Sequence, residues 1–375
     1  MSIPLDRLYY YIDSIAEEVR GSPVVIYHFW PHGSKNIDNL IEFVNPLTTV
    51  AAGTSATEQH LLQPRIICND QEPLNFDLYT EYSGNLLPQL LDKSGPKTIH
   101  FNQSILLHSE NRSHNVDLYR NNQFIPVYYW SHAVIAGDWF RYAEYVNQKK
   151  NTTNLFLVYN RAWSGTREYR LGFADRLIIE GLVDNTLMRV SPVDSTIDKH
   201  YDLHHFEHPH WRPHNVIEKH FPLCEAESHY SADFDIKDYE STEIEIVLET
   251  LFDDLRLHLT EKTLRPIAMG QPFMLAGTYG SLKYLRDYGF KTFGDCWDES
   301  YDMMSDSLER MNKIIEVMSN IVSMPANKRD EMLVQAREIA IYNKKHFFSH
   351  EFQTQVVAEL KNNLKIAYDQ LTPKS

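Results

Sequence analysis

The chain has 375 residues, with 36 Lys and Arg against 51 Asp and Glu, a formal net charge of −15, 18 His and 43 % hydrophobic residues. This composition excludes a disordered chain, the length predicts two domains of about 150–200 residues, and the acidity argues against a broad polyanion-binding face. No apolar run approaches the roughly 18–20 residues that cross a bilayer; the opening MSIPLDRLYYYIDSIAEE lacks a signal-peptide pattern, and the three distant cysteines Cys68, Cys224 and Cys296 argue against a disulfide framework, so a cytoplasmic location is expected.

Residues 4–20 carry Leu5, Leu8, Ile12, Ile15 and Val19 at helical spacing and predict an amphipathic helix. The run 23–30 predicts a buried strand, with further strands at 65–70 (RIICND), 97–102 (KTIHFN) and 124–130 (FIPVYYW) and a helix over 132–145. After the polar stretch 151–154 the pattern restarts. A strand at 155–160 (LFLVYN) precedes a helix over 167–180 closed by Gly181, a strand at 186–191 and a His- and Pro-rich loop at 192–222. Then come a strand at 243–250 (EIEIVLET), a short helix at 260–270, a strand at 271–276, a helix at 281–288 ended by Gly289, and a short strand at 290–293. From 300 to about 369 the chain reads as helical, broken near Pro325. The alternation predicts an α/β fold: two domains with largely parallel sheets facing a cleft, and a helical tail.

Charge is unevenly placed. Residues 225–254 hold 11 acids and one base, Lys237, whereas residues 141–176 hold seven bases and three acids. The basic window either receives an anion or forms a solvated, internally paired face. Thr260 is a credible N-cap that places Glu261 and Lys262 in the first turn of a helix. Lys262 and Arg265 at that positive helix end suit a pyrophosphate, and Glu261 suits vicinal ribose hydroxyls. An ordinary capped helix is the competing reading.

The stretch TEKTLRPIAMGQPFML, a following Gly-containing loop, LKYLRDYGFKTF and DESYD resemble the C-terminal half of nucleotide-sugar-dependent glycosyltransferases of GT-B architecture, of phage and bacterial type. Residues 155–184, LFLVYNRAWSGTREYRLGFADRLIIEGLVD, resemble the strand–loop–helix that opens their donor domain, and NDQEPLNFDLY and YYWSHAVIAGDWFRY give weaker echoes. The Thr-Glu-Lys of 260–262 is similar to a fucosyltransferase-like donor signature, but Thr-Leu-Arg-Pro follows it, so GDP-fucose is not carried over.

The resemblance implies two Rossmann-like domains: an acceptor-side domain at 1–150 and a nucleotide-sugar-binding domain at 151–320, followed by a helical segment at 321–375. It assigns Glu261 and Lys262 to the nucleotide, with Arg161, Arg167 and Arg170 as diphosphate ligands. It implies a UDP-, GDP- or similar sugar as donor and no required metal or other cofactor, with the leaving group held by helix dipole, Lys and Arg. A phage origin would make the acceptor a hydroxymethylated pyrimidine in DNA, and the location the host cytoplasm; a glycan is the other acceptor class.

An inverting reaction needs a general base, and residues after strands are best placed for it: Asp70, Glu72 and His132, then Asp138, His28 and His32. Glu72 could instead cap a turn, and Asp138 could pair with Arg141. His204, His205, His208, His210 and His214 fall in HHFEHPHWRPH. They read as a loop lining the cleft, as an unspecific surface loop, or as metal ligands, although Pro209 and Pro213 interrupt any long helix. Two other classes remain open: an epimerase-like nucleotide-sugar enzyme, and an interaction module that docks through the acidic segment.

Overall fold

Apolar and β-branched runs too short for helices build two parallel sheets. The structure is a computed structural model that describes residues 6–21, 26–28, 66–68, 74, 105–121, 124–194, 196–221 and 234–371. The chain divides into two compact units, residues 1–135 with 354–375, and residues 136–353.

In the first unit β1 (Ile26–His28), β2 (Ile66–Cys68), β3 (Ile105–His108) and β4 (Ile125–Tyr128) pair in that order, all parallel. Helix α1 (Asp6–Arg20) turns Ile12, Ile15 and Ala16 onto Ile66, Cys68, Ile105, Leu107 and Val127, as its 3.6-residue spacing predicts. Helices α2 (His114–Asn121) and α3 (Ser131–Trp139) follow β3 and β4. The strand expected at 97–102 lies outside the described residues, whereas β3 and α2 were not expected. Helix α3 is shorter than expected, giving way after Gly137 and a run of aromatics to a turn and a 3-10 segment, Ala143–Tyr145.

The second unit carries β5 (Asn154–Asn160), α4 (Tyr169–Ile179) and β6 (Thr186–Val190), then the small antiparallel pair β7 (Val193–Asp194) and β8 (Lys199–His200). Helix α5 (Ile236–Ser241), β9 (Thr242–Leu248), α6 (Glu261–Met269), β10 (Phe273–Ala276) and α7 (Ser281–Asp287) follow. The main sheet is parallel in the order β10-β9-β5-β6. Thr260 caps α6 as expected, accepting from Lys262 N at 3.3 Å, and Gly270 closes it at φ +71°. The expected strand 290–293 does not form. Asn343 takes the place of a neighbouring strand there, accepting from Lys291 N at 2.8 Å and donating to Lys291 O at 2.8 Å.

Helices α8 (Ser307–Ser323), α9 (Ala326–Phe347) and α10 (His350–Leu371) complete the chain, with Pro325 at the expected break. They do not form a unit of their own. α8 and α9 belong to the second unit, while α10 brings Leu360, Leu364 and Ala367 into the core of the first. The expected boundaries at 150 and 320 therefore move to 135 and 353, because apolar contacts rather than chain order define each core.

Four acids of the described part of the acidic segment, Asp238, Glu243, Glu245 and Glu249, turn inward. Along β9, period-two alternation places Glu243 and Glu245 on one face. Glu243 pairs with Arg337 at 2.6 Å and accepts from Thr152, while Glu245 pairs with Arg265 at 2.6 Å and accepts from the Tyr239 hydroxyl at 2.5 Å. Asp238 pairs with Arg189 at 2.5 Å. These carboxylates hold the interior together and are not offered as a docking face. Among the described residues, no helix is long and apolar enough to cross a membrane.

Candidate functional site

From β5 the chain crosses through α4 to β6 on one side, then returns past β5 to reach β9 and β10. Strand order thus reverses between β5 and β9, and in open parallel sheets the carboxyl ends at such a reversal are where ligands bind. Segments 161–168 and 249–260 leave the sheet there.

Lys262 lies in the first turn of α6. Its Nζ is 2.8 Å from Glu261 Oε1, 3.2 Å from Thr260 Oγ1 and 3.4 Å from Thr250 Oγ1. An ammonium group, two hydroxyls and the positive end of a helix are gathered in one place, an arrangement suited to phosphate. The platform is rigid because the buried Glu249, just past β9, ties it down. Its Oε1 accepts from Thr260 N at 3.0 Å and Thr263 Oγ1 at 2.5 Å, and its Oε2 from Thr260 Oγ1 at 2.8 Å and Thr250 N at 3.1 Å.

Segment 161–168 is ordered by another internal acid, Asp194. Its carboxylate accepts from Trp163 N and Ser164 N at 2.7 Å each, from Thr196 N at 2.8 Å and from Thr196 Oγ1 at 2.5 Å. Burial raises its pKa, but these hydrogen bonds and the nearby Arg167 charge outweigh that and hold the carboxyl below its ordinary value. The backbone amides of Trp163 and Ser164, which would otherwise suit an external phosphate, are thus occupied from within.

The expected arginines separate by role. Half-buried Arg167 donates Nε to Ser164 O at 3.1 Å and approaches Ser164 Oγ at 3.4 Å, so it stays at the strand ends. Arg161, also half-buried, directly follows β5. Arg170 is a correction. Fully buried, it donates Nη1 to Ala162 O at 2.6 Å and Nη2 to Leu248 O and Glu249 O at 2.8 and 3.0 Å, stapling β5 to β9. Arg265 is another. It lies in the interior, paired with Glu245 and 4.5 Å above the Tyr159 ring. The planar guanidinium fork matches carbonyl and carboxylate geometry as well as phosphate geometry, and sequence does not tell the two apart. Glu261 is buried against Lys262.

Asp70 and Glu72 lie outside the described residues. His132 is buried at the start of α3, after β4, with Nδ1 3.4 Å from Ser131 Oγ. Polar groups that the sequence reading missed stand at the same edge of the first sheet. Ser109 Oγ accepts from Ser131 N at 3.2 Å, His108 Nδ1 from Glu110 N at 3.3 Å, and Glu110 Oε1 from Leu74 N at 3.0 Å. The apolar ILLH run before Ser109 was the available signal.

The histidine-rich loop is clasped to α4. Buried Glu168 lies 2.7 Å from His204 Nε2 and accepts from Glu207 N at 2.9 Å and His208 N at 3.0 Å. Asp175 accepts from His214 N and Asn215 N at 3.1 and 2.9 Å. Gly172 admits the Trp211 ring, which a β-carbon would meet at 2.8 Å, and Trp211 Nε1 donates to Asp253 at 3.0 Å. Among the described residues, no group of three or more His, Cys, Asp or Glu is arranged for a metal ion. Glu168→Ala is expected to cost about 1–3 kcal/mol, the scale of leaving such partners unpaired, and to move limited-proteolysis cuts into residues 201–215. Unchanged melting and an unchanged cleavage pattern would show that Glu168 does not hold the loop.

Compared with known proteins, the chain matches no family model, no curated protein and no solved structure.

Proposed function

We propose that the protein is a glycosyltransferase of GT-B type that moves a hexosyl or pentosyl group from a nucleotide sugar to an acceptor hydroxyl. Lys262 carries the reading: it is a lysine ammonium in the first turn of α6, next to two threonine hydroxyls, at the strand-order reversal of a parallel sheet. Helix starts favour negative charge, and phosphate is commonly held at them.

In the proposed reaction the bond from the anomeric carbon to the phosphate oxygen breaks as the bond to the acceptor oxygen forms. The leaving nucleoside phosphate gains charge, and Lys262, the α6 dipole and Arg167 oppose that charge. If the anomeric centre inverts, the acceptor proton passes to a general base. The donor is a UDP-, GDP- or similar sugar. The acceptor is a hydroxyl on a glycan or on a hydroxymethylated pyrimidine in DNA. An epimerase on the same platform would rearrange the donor without releasing nucleotide.

Nucleotide release tests this reading. The protein is incubated with UDP-, GDP-, CMP- and dTDP-sugars, with glycan acceptors or hydroxymethylcytosine DNA and without either. Acceptor-dependent appearance of free nucleoside phosphate is expected. Conversion of the donor sugar with no release would assign the site to the epimerase class.

A further inference from the structure

The threonines around the start of α6 separate once their hydroxyl protons are followed. Each hydroxyl has one proton to give and two lone pairs that receive. Thr260 spends its proton on Glu249 Oε2 at 2.8 Å, and its lone pairs face Lys262 N and Nζ at 3.3 and 3.2 Å. Thr263, 0 % exposed, spends its proton on Glu249 Oε1 at 2.5 Å. Both hydroxyls are consumed in the foundation of the platform. Thr250 differs. Its N–H donates to Glu249 Oε2 at 3.1 Å, which fixes the residue, and its Oγ1 receives Lys262 Nζ at 3.4 Å. Its own hydroxyl proton has no acceptor among the described residues, although Thr250 is only 9 % exposed. Buried polar groups are ordinarily matched, because leaving one unmatched is costly.

We infer that Thr250 is a phosphate-binding residue, its hydroxyl donating to an oxygen of the same phosphate that Lys262 holds. This rests on the nucleotide-sugar reading and adds to it a neutral donor beside the cation. The three ammonium hydrogens of Lys262 meet Glu261 Oε1, Thr260 Oγ1 and Thr250 Oγ1 at 2.8, 3.2 and 3.4 Å. The contact to Thr250 is the longest and lies beyond the ordinary range for N–H···O bonds, so it is the one a phosphate oxygen displaces most readily. Nζ then donates to the phosphate, and the Thr250 O–H, already without an acceptor, donates to it as well. Phosphate oxygens at neutral pH are acceptors and match both donors. One donor stands just past β9 and the other on α6, so the pair orients the phosphate as well as holding it.

The test compares wild type with Thr250→Val, which keeps the side-chain shape and removes the hydroxyl, and with Thr250→Ser, which restores it. Melting temperatures are read for each free protein and in titrations with UDP, GDP, UDP-glucose and GDP-mannose. Free Thr250→Val is expected to melt within about 2 °C of wild type, because the hydroxyl's one side-chain contact is long. Its Kd for the nucleotide class that stabilises wild type is expected to rise about tenfold, the scale of one hydrogen bond to a charged group. Thr250→Ser is expected to bind as wild type does, and the phosphorus NMR resonances of saturating nucleotide to differ between wild type and Thr250→Val. A wild-type Kd kept in Thr250→Val, or an equal loss in Thr250→Ser, would remove the contact and leave the functional reading standing. So would unchanged phosphorus resonances, which place the lost bond elsewhere on the ligand. A free Thr250→Val melting several degrees lower would show that the hydroxyl is satisfied inside the protein, and overturns the inference too. No wild-type response to any of the four ligands would overturn the functional reading and this contact with it.

Discussion

Arg265→Met is expected to destabilise the 136–353 unit by about 3–5 kcal/mol, the cost of leaving one member of a buried ion pair without its partner. Arg265 and Glu245 are 4 % and 0 % exposed at the side chain and meet at 2.6 Å. The arginine also covers Tyr159, and Glu245 accepts from Tyr239. Removing the cation leaves the carboxylate in low dielectric with one neutral donor, a penalty water cannot relieve. The double variant Arg265→Met/Glu245→Leu is expected to recover most of the loss, because well-packed apolar residues replace buried pairs at little cost. Urea unfolding measures both. If Arg265→Met unfolds with wild type, the arginine is not an interior residue and its assignment to a ligand returns.

Lys262→Ala is expected to leave the free protein folded and to abolish its stabilisation by nucleotide. At a ligand concentration of 100 Kd that stabilisation is about 2.7 kcal/mol, large enough to read directly as a melting shift. The platform under Lys262 is built by Glu249, Thr250, Thr260 and Thr263, so truncating the lysine leaves these hydrogen bonds in place. Arg167→Ala is expected to act in the same direction. Arg170→Ala is the informative contrast: it removes donors from three backbone carbonyls and should lower the melting temperature of the free protein. A Lys262→Ala protein with the full nucleotide response would show that phosphate binds elsewhere.

Much of the second unit was legible because its buried strands are continuous apolar runs, such as LFLVYN and FMLA, and because its α6 helix is marked by Thr260 and Gly270. The first sheet was less so: β3 offers only four residues, and a nearby run at 97–102 competed for the same strand. Depth of charge was the least legible property. The acids of the helix α5 and of β9 could be read as a surface, yet Glu243 finds Arg337, 94 residues away, and Asp238 finds Arg189, 49 residues away. Spacing along a chain does not record such partners. In the same way the basic window, open between an anion site and an internally paired face, holds a structural staple, Arg170, beside Arg167 at the strand ends.

The most direct measurement is a thermal-shift titration of the wild-type chain with UDP-, GDP-, CMP- and dTDP-sugars and their parent nucleotides. A concentration-dependent rise in melting temperature with one nucleotide class, absent in Lys262→Ala, is the expected result. No rise with any of them up to millimolar concentration would contradict the proposal that the β5–β9 strand ends bind a nucleotide sugar.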